Sequence, residues 1–305
     1  MPPKKYNRTH DFIQGIIDAD LSDVSKRVYM ERLKRLIEQL NTDIFTIISQ
    51  PGKTLTWIRK TYTSPATQKS YISAVLGVFR HNKGLKEQKQ RAYEEWYQAF
   101  KTTHEEIDAK YKRNEPNEKQ IEGYVRFEDI VAKRDVLEEG SDERLLLSLY
   151  TFIPPLRCDF NAVRIVTTDE EHAKSNTENV LILNEKSKSA TLKLHEFKTA
   201  TVMSYEKELP SALVEEIMAS LHKNPREYLF QDRSRKPYRA SSFNKWANRT
   251  LLRLFGKNLT ISLIRHSYIN SLDFNKLTVE EKENIAKDMA HTVGTQDRYR
   301  LIFQS

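Results

Sequence analysis

The stretch NVLILNEKSKSATLKLHEF, residues 179–197, decides the fold class. Two runs of apolar or alternating residues, 179–185 and 190–197, lie on either side of a polar turn, which is the pattern of two antiparallel strands. The segment 199–210 has the character of a third strand that ends at Pro210. The second half of the chain is therefore predicted to contain a small antiparallel β-sheet.

Helical patterns flank this sheet on both sides. Before it, SDERLLLSLYTFI (141–153) is a strongly apolar helix with Ser141 as its N-cap. After it, apolar residues recur at helical spacing in the segments 211–224, 241–256, 261–272 and 279–291. The predicted fold is mainly α with a small antiparallel β-sheet, an α+β arrangement.

The first third of the chain is predicted to be helical throughout. In 22–40, apolar residues recur every three or four positions after Ser22, a favourable N-cap. Farther on, Ser64 and Pro65 supply the cap and the first turn of another helix. A long helix is expected over 86–112. These elements predict a helical N-terminal domain.

A polar stretch divides the chain. KYKRNEPNEKQIEG (110–123) has almost no apolar residues and contains Pro116, so it is predicted to link two domains, 1–115 and 116–305. The net charge is +8, and the first domain holds nearly all of it, with 21 Lys and Arg against 14 Asp and Glu. Such a local excess of positive charge is typical of a protein that binds a polyanion.

The composition also excludes several classes of protein. Cys158 is the single cysteine of the sequence, which excludes an internal disulfide and a cysteine-based zinc site. No apolar run approaches the roughly 20 residues of a membrane span, and no apolar signal core follows the basic N-terminus. We therefore expect an intracellular protein of a reducing compartment, in cytoplasm or nucleus, with no membrane partner.

Side chains that can carry chemistry follow one another along the second domain in the motifs IPPLRCDFNAVRI, HEFKTA, ISLIRHSYINSL and MAHTVGTQDRYR. In chain order they are Arg157, Lys198, Arg265, His266, His291 and Tyr299. This order resembles the tyrosine recombinase (phage integrase) family. The resemblance covers 120–305 well and 11–110 loosely, and it implies a helical core-binding domain at 1–115 followed by a catalytic domain at 116–305.

The resemblance implies site-specific cleavage and rejoining of DNA, as in integrases of viruses and mobile elements. Tyr299 would attack a phosphodiester and form a phosphotyrosyl intermediate, while Arg157 and Arg265 stabilise the negative charge of the transition state. Lys198 would protonate the departing 5′-oxygen, and His291 would bind the phosphate or assist proton transfer. No metal and no other cofactor is expected. Double-stranded DNA and a tetramer on two duplexes are the expected partners.

Two positions of the predicted site, Ser262 and Phe160, depart from the family pattern. Ser262 stands where the family usually has His or Lys, and its hydroxyl can still donate a hydrogen bond to phosphate. Phe160 replaces the carboxylate three residues after the first arginine, and Asp159 is the candidate substitute. His266 is expected to brace the second arginine or to pack internally. These three, Ser262, Asp159 and His266, are supporting residues in the predicted site.

Basic residues of the first domain are the candidates for phosphate contacts, although lysine-rich helix faces are commonly just solvated. They are Lys53, Arg59, Lys60, Lys69, Arg80 and Lys83.

Other functions stay open at this point. A type IB topoisomerase resembles the same set of residues and would relax supercoiled DNA without a specific site. Telomere or hairpin resolution uses the same chemistry on different DNA ends. A DNA-binding protein with a decayed active site is favoured by Ser262 and Phe160, and it would bind DNA without forming a covalent adduct.

Overall fold

The computed structural model describes residues 8–167, 177–197, 200 and 204–303, with side chains from residue 12 onward. The chain divides into two compact units, residues 1–113 and 114–305. Lys198 lies outside the described residues, as do positions 201–203 of the expected third strand.

The first unit is helical in its described part. Its helices are α1 (Arg8–Ile17), α2 (Asp23–Leu40), α3 (Ile44–Ser49), α4 (Pro51–Thr61), α5 (Pro65–His81), α6 (Leu85–Gln88) and α7 (Gln90–Lys112). Ser22 and Ser64 cap α2 and α5 as predicted, each accepting a bond from a backbone amide three residues on. The helix expected over 86–112 is broken at Lys89, whose φ of −127° and ψ of 37° are not helical.

One buried cluster holds these helices together. Tyr71 and Val75 of α5 and Trp96 of α7 have no exposed surface, and the Trp96 indole donates a hydrogen bond to the Ile48 carbonyl at 3.3 Å. The apolar stripe predicted for α5 is therefore its core face.

The expected linker 110–123 is mostly helical in the structure. Its first residues end α7, and its last residues form α8 (Glu118–Gly123). A capping box starts α8: the Asn117 side chain accepts from the Gln120 amide at 3.0 Å, and the Gln120 side chain accepts from the Asn117 amide at 2.9 Å. This reciprocal cap begins a helix without needing apolar residues, and the boundary between the two units falls within the same segment.

The second unit contains further helices around a four-stranded sheet. The helices are α9 (Phe127–Asp135), α10 (Asp142–Thr151), α11 (Ser211–Lys223), α12 (Ala240–Phe255), α13 (Ile261–Ser271), α14 (Val279–Asp288) and α15 (Val293–Gln296), with 3-10 turns at Asp159–Ala162 and Asp297–Tyr299. All residues of α10 from Leu145 to Tyr150 are buried. A helix that is buried on all sides lies inside the hydrophobic core of its unit. Arg157 follows six residues after the end of α10.

The predicted α+β fold with a small sheet is confirmed, and the sheet contains one parallel pair of strands besides the antiparallel pairing. Its strands are β1 (Arg164–Val166), β2 (Val180–Asn184), β3 (Ser189–Leu194) and β4 (Tyr205–Glu208), in the order β1-β2-β3-β4. The predicted pair, β2 and β3, is antiparallel, as is β3 with β4, but β1 pairs parallel to β2. With three residues, β1 is too short for an alternation signal, and the segment 167–179 is long enough for a parallel crossover.

No helix within the described ranges is long and apolar enough to cross a membrane.

Candidate active site

Arg157 is fixed through its own backbone. It follows α10, and its carbonyl accepts a hydrogen bond from the buried Tyr150 hydroxyl at 2.5 Å. Its amide donates to an Asp159 carboxylate oxygen at 3.1 Å. The guanidinium reaches across the unit and donates from Nη1 to the Ala290 carbonyl at 2.9 Å. The first predicted arginine thus lies beside the segment that carries His291.

Arg265 is almost completely buried, with 1% of its surface exposed, on α13. Nη1 donates to the carbonyls of Pro155 and Met289, and Nη2 donates to Met289 and to His291 Nδ1 at 2.9 Å. Burial lowers the pKa of the guanidinium, as does the charge of Arg157, while Tyr299 raises it. Arginine is so strongly basic that the group nevertheless keeps its charge. Its Nε is buried with no hydrogen-bond partner among the described residues.

One tight turn orients both arginines. After α14, Ala290 adopts the left-handed conformation with a φ of 51°, and the His291 amide bonds back to the Ala286 carbonyl at 3.0 Å. This arrangement turns the Met289 carbonyl toward Arg265 and the Ala290 carbonyl toward Arg157. A non-glycine residue in this conformation costs on the order of 1 kcal/mol, and strain of this kind is common at functional sites.

His291 is neutral, and its Nε2 is a donor with no hydrogen-bond partner among the described residues. Its Nδ1 must accept, since its partner is an arginine that can only donate, and the ring proton therefore lies on Nε2. Burial, with the charges of Arg265 and Arg157, lowers its pKa to about 3. Nε2 is buried without a hydrogen-bond partner in the described part of the chain. The expected helix 279–291 ends earlier, at Asp288, so His291 is held by the turn instead.

Tyr299 lies half-buried in the 3-10 turn Asp297–Tyr299, surrounded by three of the predicted side chains. The Arg265 guanidinium stands 4.6 Å above the centre of its ring, and His291 stacks on the ring at 5.4 Å and 27°. The His266 ring packs at 4.9 Å, and His266 Nδ1 donates to the Tyr299 carbonyl at 2.6 Å. A cation at this distance would stabilise negative charge that develops on the tyrosine oxygen.

The supporting residues take different places. Asp159 is buried, and burial raises the pKa of its carboxyl group while Arg157 acts against that rise. Phe160 is fully buried against Tyr150, so this position serves packing. Ser262 is exposed on the first turn of α13. His266 was expected to brace the arginine or pack internally; its side chain is buried, and its Nδ1 donates to the Tyr299 carbonyl.

Two further side chains of this region were not among the predicted site residues. Lys207 on β4 forms an ion pair with Asp288 at 2.5 Å, three residues before His291, and so ties the sheet to the end of α14. Asn270 on α13 bonds to the backbone just after Tyr299. The available signals for Asn270 were its place in the motif ISLIRHSYINSL and its spacing of four residues from His266, on the same face of a helix. Among the described residues, no group of three His, Cys, Asp or Glu side chains could hold a metal ion.

The candidate phosphate contacts of the first unit are mostly exposed. Lys53, Arg59 and Lys60 of α4 are exposed, as are Arg80 and Lys83. Lys69 is half-buried, with its ammonium 3.2 Å from His104 Nδ1 and 5.0 Å from the centre of the Phe100 ring. Within the described part of the chain, none of the six forms an ion pair with a carboxylate.

We expect His291 to make the protein less stable as the pH falls from about 6.5 towards 3. The unfolded histidine takes up a proton near pH 6.5, whereas the folded one does so only near pH 3. Between these values the unfolded state binds more protons, so acid favours unfolding. Above this range His291 contributes nothing to the dependence of the free energy of unfolding on pH. Urea unfolding at a series of pH values measures the effect.

The comparison must isolate His291 from other groups. The lowered pKa of His266 acts in the same direction, and the raised pKa of Asp159 acts in the opposite one. The free energy of unfolding of His291→Gln should therefore depend less on pH than that of the wild type in this window. His222→Gln, at an exposed histidine of α11, is the control. Parallel curves for wild type and His291→Gln would contradict the assignment of a buried neutral ring.

Comparison by sequence with protein families and with curated proteins finds no match. Comparison of folds finds solved structures that are similar over nearly the whole chain. One is the crystal structure of XerA recombinase, 12% identical, covering 97% of this chain and 95% of that one with a TM-score of 0.43. Another is XerH site-specific recombinase bound to its difH substrate, 13% identical, covering 97% and 91% with a TM-score of 0.39.

Proposed function

We propose that this chain is a tyrosine recombinase that cuts and rejoins double-stranded DNA through a covalent bond to Tyr299. The observation that carries the proposal is the convergence of Arg157, Arg265, His291 and Tyr299, which come from separate segments of the second unit. The Arg265 guanidinium contacts both His291 and the Tyr299 ring, and Arg157 is bonded to the residue before His291. These are the residue types that phosphodiester cleavage by a phenol requires.

Two donors of the site that have no partner among the described residues support the binding of a phosphate there. Arg265 Nε and His291 Nε2 are both buried and have no hydrogen-bond partner among the described residues. A buried donor without a partner is costly and calls for an explanation, and a bound phosphate oxygen supplies one. In this proposal the two guanidiniums and the neutral His291 together hold the non-bridging oxygens of the scissile phosphate.

The reaction follows from this placement. The Tyr299 hydroxyl gives up its proton to solvent as its oxygen attacks phosphorus, and the bond from phosphorus to the 5′-oxygen breaks, so that the phosphodiester passes from DNA to the tyrosine. The departing 5′-oxygen takes a proton, which we assign to Lys198 as donor. Attack by a 5′-hydroxyl reverses these steps and rejoins a strand without ATP, because the phosphotyrosyl bond conserves the phosphodiester. Asp159 acts by holding the Arg157 backbone.

Recombination also requires two duplexes to be held together. We propose that protomers assemble as a tetramer on two DNA duplexes and that the reaction serves integration of a virus or mobile element, inside the cell where the DNA of that element resides. Both statements rest on the order of the site residues along the sequence. Light scattering with and without DNA tests the assembly, and a stable tetramer in the absence of DNA would contradict the dependence on DNA.

The exposed basic residues of the first unit are proposed to contact the DNA backbone, so affinity should fall steeply with salt. Each phosphate contact contributes about 0.9 to the slope of log affinity against log salt concentration. Lys53 and Lys60 are seven residues apart on α4 and lie on the same face. Replacing both with alanine should lower that slope by up to about 2. Fluorescence anisotropy at several salt concentrations measures it.

A matched control separates specific contacts from general loss of charge. Lys34 is exposed on α2 of the same unit, 3.8 Å from Glu38, so its charge is already offset. Lys34→Ala should leave the slope almost unchanged. If the double variant and Lys34→Ala behave alike, the face of α4 does not contact DNA.

The experiment that tests the proposed function is covalent trapping. Duplexes that bind the protein are first selected from a randomised pool and then resynthesised with a nick near each candidate position, so that the cut strand diffuses away. A protein–DNA adduct that survives denaturing gel electrophoresis would support the proposal. Binding without any adduct would favour a decayed active site. Relaxation of a plasmid that lacks the selected sequence would favour a type IB topoisomerase.

A further inference from the structure

The side chain of Asn270 forms a two-point bond to the main chain just after Tyr299. Its amide nitrogen donates to the Leu301 carbonyl at 2.9 Å, and its amide oxygen accepts from the Leu301 amide at 2.9 Å. Exchanging the oxygen and nitrogen of the side chain would set donor against donor, so these two bonds also fix its orientation. A pair of bonds to a single residue restrains both the position and the direction of the chain at Leu301.

The Asn270 bonds continue a row of contacts from α13. His266 lies four residues earlier, on the same face of the helix, and bonds to the Tyr299 carbonyl at 2.6 Å. Arg265, next to it, stands over the Tyr299 ring. One helix therefore holds the candidate nucleophile by its ring and by the backbone on its C-terminal side.

The following residues are fixed as well. The Leu301 side chain is buried, and the Ile302 amide donates to the Asn114 carbonyl at 2.9 Å. The Phe303 ring packs on Tyr124 at 4.4 Å. By contrast, Arg298 and Arg300 on either side of Tyr299 are exposed. Tyr299 is thus a half-buried residue between two exposed ones, in a 3-10 turn whose C-terminal end is held by these contacts.

We propose that Asn270 is a positioning residue that keeps Tyr299 in line with the scissile phosphate. The proposal rests on the proposed function, since it assigns Asn270 a role in the same reaction. A reacting atom that is misplaced by on the order of 1 Å costs about a hundredfold in rate. Loss of the two-point bond should therefore reduce the rate of adduct formation at saturating DNA and leave the dissociation constant for DNA unchanged, because Asn270 acts on the nucleophile and not on the duplex.

Asn270→Asp and Asn270→Ala test this in two measurements. The aspartate keeps the acceptor for the Leu301 amide but loses the donor and places a negative charge against the Leu301 carbonyl. Asn275→Ala, at an exposed asparagine after α13, is the control. The first measurement is hydrogen–deuterium exchange of the Leu301 amide in the free protein. Exchange should rise by about three- to tenfold in Asn270→Ala and remain at the wild-type rate in Asn275→Ala.

The second measurement is the rate of adduct formation on the nicked, selected duplex, together with the dissociation constant. We expect the rate to fall by about ten- to a hundredfold in both Asn270 variants with unchanged affinity.

Unchanged exchange at Leu301 would show that the two-point bond does not hold the segment. Raised exchange with a wild-type adduct rate would overturn the positioning role. If the wild-type protein itself forms no adduct, the proposed function fails and the positioning role with it, whereas exchange still measures the bond. Exchange along the rest of α13 identifies a variant that has simply unfolded.

Discussion

Tyr299→Phe is expected to abolish the covalent protein–DNA adduct and to leave DNA affinity nearly unchanged. The phenyl ring keeps the contacts that the structure gives this side chain, namely the Arg265 guanidinium above it and the stacked His291. His266 still bonds to the backbone carbonyl. Only the attacking oxygen is removed, so the reaction loses its nucleophile while the binding surface stays intact. Denaturing gels with the nicked duplex and anisotropy with the intact duplex measure the two effects.

The sequence offers many other phenols, which makes a matched control necessary. Of its 14 tyrosines, Tyr111 is exposed near the end of α7 and serves as that control. Tyr111→Phe should form the adduct at the wild-type rate. A persistent adduct in Tyr299→Phe, mapped by mass spectrometry to another tyrosine, would overturn the assignment of the nucleophile.

Arg265→Ala is expected to slow adduct formation by about 10²–10³-fold, the loss typical of removing one donor to the transition state. Arg265 contacts His291 and lies over Tyr299, so its removal also leaves both rings without their cation. The carbonyls of Pro155 and Met289 lose their donor, at a cost of about 1–3 kcal/mol for each unsatisfied group. The measurement is the adduct rate at saturating DNA, with thermal unfolding of the same variant beside it.

Arg265→Lys separates charge from geometry. Lysine restores a positive charge but cannot bond to Pro155, Met289 and His291 from one planar group. The rate of adduct formation should therefore recover only in part. Arg253→Ala, on the exposed end of α12, controls for loss of an arginine. A fully active lysine variant would mean that charge alone is needed. An alanine variant that stays folded and reacts at the wild-type rate would remove Arg265 from the site.

Regular helices with strong spacing signals were the part of the fold that the sequence could predict. The bounds expected from capping at Ser22 and Ser64 agree closely with α2 and α5, because these signals are local. Parallel pairing of β1 was not predictable in this way, since its partner β2 lies beyond the segment 167–179 and three residues carry no period. Pairing across such a distance depends on tertiary packing, which a local pattern does not record.

The candidate site was likewise predictable only in part. Residue types and their order pointed to Arg157, Arg265, His291 and Tyr299, and the structure places these side chains together. Their fixed positions depend on main-chain carbonyls of Pro155, Met289 and Ala290, and any residue type has such a carbonyl. The sequence therefore could not identify which main-chain carbonyls hold the two arginines. The assignment of Lys198, which lies outside the described residues, stays a prediction.

The way in which the two arginines are held has an electrostatic consequence. Within the described residues, neither guanidinium bonds to a carboxylate: Arg157 is held by the Ala290 carbonyl, and Arg265 by carbonyls and a neutral imidazole. The carboxylate of the nearby Asp159 accepts a hydrogen bond from the backbone amide of Arg157. Carbonyl dipoles restrain a cation without cancelling its charge, so an arriving anion need not displace a carboxylate bonded to either guanidinium within the described residues. The site should therefore attract small tetrahedral oxyanions such as sulfate or vanadate, which would compete with DNA for the same donors.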